Sequence, residues 1–253
     1  MGELSALMVQ QWNCVRDIAN CVPQVLYYQQ NKVTNEAWYC YQIHSPKFAK
    51  PITCTFTARQ RTVSSEFKTQ LMHVAPGSLW TGTQKHLDSL LREQDQIMTV
   101  ETIDYIGYSR DHRCYVFNDL AMKNGKLAER NGEDYFELGA LNIKSLSQSV
   151  RLKINAQPEA YRDEWVNLLW QCFGAKGMAA LTFWFGSLFA EQIREAEESY
   201  PFLEIVGEAG SGKSTLIEFL WKLLGRSDYE GFDPSKSTLA ARTRNLAQVA
   251  NLP

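Results

Sequence analysis

Nine consecutive residues constrain this chain more than any others: Gly207, Glu208, Ala209, Gly210, Ser211, Gly212, Lys213, Ser214 and Thr215. The first eight satisfy the spacing G-x-x-x-x-G-K-[ST] in full. The spacing serves anion capture. Glycines let a backbone curl without Cβ clashes, so several N–H groups point inward, and a helix starting behind the loop adds the positive end of its dipole. Lys213 is placed to meet the β- and γ-phosphates of a nucleoside triphosphate, and the Ser214 hydroxyl to ligate Mg²⁺. The flanks fit a strand–loop–helix unit. Residues 201–206 are a short apolar run, as in a buried parallel strand. Beyond the loop, Leu216, Ile217, Phe219, Leu220, Leu223 and Leu224 form an apolar helix face that ends at Gly225, a natural C-cap. ATP and Mg²⁺ are therefore the expected cofactors, with Lys213 as the catalytic cation and all nine residues around the nucleotide.

The rest of the chain sets bounds. Its 253 residues suffice for one large domain or two ordinary ones, and 45% apolar with 21% charged residues is ordinary for a globular protein. With a net charge of −2, nucleic acid would have to be met by a local patch. Cys14, Cys21, Cys40, Cys54, Cys114 and Cys172 include no C-x-x-C pair and read as reduced, mostly buried thiols. The first thirty residues lack the features of a secretory signal, and the longest apolar stretch, 178–190, is too short and too interrupted to cross a bilayer. A cytoplasmic protein without a membrane partner is expected.

Apolar residues from Leu4 to Val22 recur at three- and four-residue intervals, which predicts a helix stopped by Pro23. Aromatic and β-branched runs predict strands at 38–44 and 52–57, and helices follow at 64–74 and 83–94 on either side of Pro76-Gly77. Strand-like runs at 98–108 and 114–118 flank the polar turn 109–112. Asn124-Gly125 and Asn131-Gly132 mark turns, with short strands at 135–138 and 150–154. Helical spacing covers 161–173 and 178–198, and a further helix is expected at 238–250.

The fold class is therefore α/β: an α+β module over 1–155, a helical connector over 156–200, and the first strand–loop–helix of a RecA- or AAA-like core over 201–253. An ATPase of that kind needs a second strand ending in an acid. After Thr215 the acids are Glu218, Asp228, Glu230 and Asp233, and none ends an apolar run, so the chain is expected to stop before that strand.

A second constellation lies at 44–68, where Lys47, Lys50, Arg59, Arg61 and Lys68 stand against one acid, Glu66, with Phe48, Phe56 and Phe67 between them. Such a mixture can track single-stranded DNA by phosphate contact and base stacking, or be a solvated face over an aromatic core. Arg242 and Arg244 are either surface charge or a cation for a neighbour's γ-phosphate.

The stretch 179–253, with "PFLEIVGEAGSGKSTLIEFLWKLLGR" and "FDPSKSTLAARTRNLAQVANLP", resembles the ATPase start of replicative helicases encoded by prophages and mobile elements. "VETIDYIGYSRDHRCYVFND" resembles the domain that precedes the motor in them. The resemblance implies a hydrolase acting in DNA replication. It also implies a homo-oligomeric ring with ATP at subunit interfaces and translocation along single-stranded DNA. Gly207, Gly212, Lys213, Ser214 and Thr215 map onto that family's nucleotide site. A P-loop kinase or other phosphotransferase, or a non-catalytic nucleotide-binding interaction protein, are the alternatives.

Overall fold

The computed structural model describes residues 7–11, 14–147, 152–155, 157–226 and 236–243. In chain order the elements begin with β1 (Leu7–Gln11), β2 (Cys14–Ala19), β3 (Val22–Asn31), β4 (Glu36–His44), β5 (Ile52–Phe56), α1 (Ala58–Thr62), α2 (Ser64–Val74) and α3 (Gln84–Glu93). Then come β6 (Met98–Ile103), β7 (Gly107–Ser109), β8 (Cys114–Val116), β9 (Leu120–Lys123), β10 (Lys126–Glu129), β11 (Phe136–Leu138) and β12 (Leu141–Ser145). The chain continues through α4 (Glu164–Ser187), α5 (Ala190–Glu197) and α6 (Lys213–Leu223). The fold is α/β with a mixed sheet. No helix among the described residues is long and apolar enough to cross a membrane.

Two compact units result. One comprises Met1–Thr102 with Asn131–Lys144, the other Ile103–Arg130 with Ser145–Pro253. These units alternate along the chain.

The first unit holds a six-stranded sheet in the order β11-β12-β6-β3-β4-β5, in which β6 runs parallel to β3 and β4 antiparallel to both β3 and β5. One face carries Tyr41, Ile43 and Phe56, covered by Phe67 and Leu71 of α2, Leu87 and Leu90 of α3, and Trp80. The other face buries Tyr27, Cys40 and Val100 with Tyr135. α1 starts with a reciprocal capping box. Gln60 N donates to Thr57 Oγ1 (3.2 Å), and Thr57 N donates to Gln60 Oε1 (2.9 Å), so two otherwise orphaned donors are satisfied.

The helix expected over 4–22 is corrected. Residues 4–6, 12 and 13 lie outside the described residues; 7–11 and 14–19 form the antiparallel pair β1–β2, and Val22 starts β3. Val9, Val15, Ile18 and Val22 are β-branched and favour extended backbone, and helical spacing over so short a run does not discriminate. Pro23 does not end an element but lies in β3, opposite Ile43 of β4. β6 pairs with β3 only at residues 27–30, so the missing N–H of Pro23 is not called upon from that side.

The second unit holds the antiparallel sheet β10-β9-β8-β7 and the helices α4, α5 and α6. Its helical core joins Leu169, Ala180 and Leu181 of α4 to Leu216 and Leu220 of α6. Gly225 ends α6 as expected. At φ +85 it donates to Lys222 O (3.0 Å) while Arg226 N donates to Trp221 O (3.0 Å), the paired bonds of a Schellman ending. The strand expected at 150–154 is corrected where it is described: residues 152–155 are irregular, and Lys153 N donates to Gly225 O (2.9 Å). Of the helix expected at 238–250, residues 239–243 are helical and the remainder lies outside the described residues.

Candidate phosphate-binding loop

Residues 201–206 lead into the loop without forming a strand. A parallel strand exists only through hydrogen bonds to its neighbours, and among the described residues no strand lies beside this one. Its apolar side chains are accordingly solvated, with Phe202 100% and Val206 80% exposed. Ile205 is the exception, packed against the α4–α6 cluster.

The loop itself turns at two glycines in the left-handed region, Gly210 (φ +78) and Gly212 (φ +81). Gly212 is the N-cap of α6 and Lys213 its first residue. The first amide bonded within the helix is that of Leu216, to Gly212 O at 2.9 Å. The N–H groups of Lys213, Ser214 and Thr215 precede it in the first turn and have no intrahelical acceptor. Ser211 N donates to Glu208 O across the loop (3.3 Å). Lys213 bends back over the turn it follows: its Nζ donates to Gly207 O (2.7 Å) and Glu208 O (2.6 Å) and lies 3.3 Å from Ser211 Oγ. Glu208, Ala209, Gly210, Ser211, Ser214 and Thr215 are exposed, and Gly212 and Lys213 half-buried. The arrangement offers an anion a short row of amides without an acceptor among the described residues, one ammonium and the positive end of an 11-residue helix. The Ser214 hydroxyl at the helix start is an oxygen donor of the type that Mg²⁺ accepts.

The basic residues of 44–68 fall into two groups. Lys47 Nζ donates to Gly77 O (2.8 Å), Arg59 pairs with Glu66 (3.1 Å), and Arg61 lies over the Tyr39 ring (4.2 Å) while donating from Nε to Tyr41 OH (3.1 Å). These three tie the fold together. Lys50 and Lys68 are exposed, and their side chains have no hydrogen bond or ion pair among the described residues. Phe56 and Phe67 are fully buried and Phe48 packs against the same cluster, so the aromatic residues form core and not a stacking surface.

Arg242 donates from Nε to Ser237 O (3.1 Å). Arg244, Asp228, Glu230 and Asp233 lie outside the described residues. Sequence spacing gave no warning of the contact between Ser109 Oγ and His112 Nδ1 (2.7 Å), but Ser109 is 1% exposed, which closes it to a substrate. Burial pushes the thiols of Cys54 to about 12 and Cys114 to about 11, whereas Cys172 is exposed. A cavity of about 350 Å³ lies elsewhere in the second unit, lined by Phe117, Asp119, Leu120, Leu152, Lys153, Ile154 and Asn155, and shares no residue with the loop.

No family model matches the chain, and no curated protein does. Among solved structures it is similar to one titled "SCCmec type IV Cch - active helicase", at 14% identity and a TM-score of 0.44 over 88% of this chain. The chain spans 40% of that protein's length.

Proposed function

We propose that residues 207–215 bind ATP with Mg²⁺, and that the chain is the nucleotide-binding part of an ATPase of the DNA-helicase kind. One observation carries the phosphate reading: two left-handed glycines deliver the loop directly into the N-terminus of α6, with Lys213 folded across it. On nucleotide entry the Lys213 ammonium exchanges carbonyl oxygens for β- and γ-phosphate oxygens. The amides of residues 213–215 and of the loop would hold the phosphate chain, and the Ser214 hydroxyl would ligate Mg²⁺, which when bound would offset negative charge on the phosphates. The helicase part, with its ring and its single-stranded DNA, is supported by the resemblance of residues 100–119 and 179–253 to prophage replicative helicases.

The phosphate reading is tested by displacement of a fluorescent ATP analogue from the chain. ATP and inorganic pyrophosphate should both compete and adenosine should not, because the loop reads phosphate and not base. Competition by adenosine alone, or no analogue binding, would overturn it.

For DNA, Lys50 and Lys68 are the residues to reverse. The double variant Lys50→Glu, Lys68→Glu is expected to lower the slope of log affinity against log salt by roughly 1.4, two phosphate contacts on a single strand. An unchanged slope would remove this surface from any DNA interface.

A further inference from the structure

α4 contains one residue that no helix accommodates. Gly174 lies at φ 56, ψ −148, in the interior of a 24-residue helical run. That backbone region is essentially closed to residues with a Cβ and open to glycine. Space does not explain the glycine, since a Cβ added there would meet nothing within 4 Å. The conformation does. A second glycine completes the bend: a Cβ on Gly177, which is buried, would run into Phe173 Cβ.

The bend carries Phe173 to the loop. A Cβ built on Gly212 would stand 3.2 Å from Phe173 Cε1 and 3.6 Å from its Cζ, so the ring edge lies against the backbone of the last loop glycine. The same ring packs against the apolar core between α4 and α6. One side chain thus joins a glycine bend, a helix–helix core and the N-cap residue of α6.

We infer that Phe173, presented by the Gly174 bend, is the positioning residue of the phosphate loop. Its ring is a floor beneath Gly212 that holds the left-handed turn and keeps the amides of residues 213–215 aimed outward before any ligand arrives. Pre-ordered donors bind an anion without the entropy loss of gathering a loose loop. The inference rests on the phosphate-binding reading for its purpose, and on Phe173, Gly174 and Gly212 alone for its geometry.

The test is amide hydrogen exchange on the nucleotide-free chain, followed by ATP titration, for wild type, Phe173→Ala, Phe173→Leu and Leu181→Ala. Leu181 belongs to the same core cluster and serves as the packing control. Phe173→Ala should raise exchange of residues 210–214 about tenfold and weaken ATP about tenfold through lost pre-ordering. Phe173→Leu should recover most of both, and Leu181→Ala should lower thermal stability with the loop unchanged. Loop exchange that stays at the wild-type level in both Phe173 variants, or rises as much in Leu181→Ala, would overturn the inference. If the exchange pattern holds and the wild type binds no ATP, the positioning of the loop stands and its assignment to phosphate falls.

Discussion

Lys213→Ala is expected to weaken Mg²⁺–ATP binding on the order of a hundredfold, about 2.7 kcal/mol, with little change in the melting temperature of the chain. Both halves follow from the same geometry. The ammonium is bonded to Gly207 O and Glu208 O, exposed carbonyls that water satisfies once the side chain is gone. Replacements at such positions move stability by no more than ~0.5 kcal/mol. In the proposed nucleotide complex the same ammonium would face phosphate oxygens across a loop whose other donors are neutral amides, and charge-assisted bonds are roughly twice as strong as neutral ones. Lys213→Arg should recover only part of the affinity, because a planar guanidinium does not fit where a compact point charge does. Calorimetric titration of the three proteins decides the matter. Equal affinities would separate Lys213 from the phosphates.

The largest loss of stability is expected at Trp80. Its side chain is 1% exposed, its ring meets Phe67 edge-on at 5.3 Å, and its Nε1 donates to Ser64 Oγ (3.1 Å) at the start of α2. The backbone around it is fixed as well: Trp80 bridges Ala19, and Thr81 N donates to Ile18 O (2.8 Å). A wall so tied cannot collapse into the vacated space, so Trp80→Ala should cost about 3–5 kcal/mol, the upper range for core truncations. Trp80→Phe should cost less, keeping the aromatic contact and losing the indole donor. Urea unfolding followed by far-ultraviolet dichroism measures both, and a loss below 1 kcal/mol for the alanine variant would show that the first unit is not organised around this ring.

Local chemistry made part of this structure legible. The helix expected at 64–74 is α2, and that expected at 83–94 is α3 to within a residue at each end. The strands at 38–44 and 52–57 are β4 and β5. All four carry their signal within one element. The gap between the helices expected at 161–173 and 178–198 contains the Gly174 bend, but spacing gave no hint of the ring it delivers. What failed depends on neighbours distant in sequence. The apolar run at 201–206 is as strand-like as β5, yet its backbone bonds must come from another strand. Among the basic residues of 44–68, composition could not separate Arg61, stacked on Tyr39 and bonded to Tyr41, from the exposed Lys50. For the loop, sequence gave the glycines and Lys213 in their spacing. It did not give the direction in which Lys213 turns.

The alternation of the two units along the chain has a consequence for biosynthesis. The edge strand β11 of the six-stranded sheet and its neighbour β12 come from residues after 130, and Lys144 reaches back to donate to Tyr27 OH (3.0 Å) over 117 positions. An emerging chain therefore cannot close that sheet until all of β7 to β10 has left the ribosome, although those strands belong to the other unit. Every ribosome must hold an unfinished sheet with an open β6 edge through the synthesis of that intervening segment. An unpaired strand edge is a template for pairing with another chain. Slowing translation within 103–130 should then cost soluble yield, while a pause placed after β12 should be harmless.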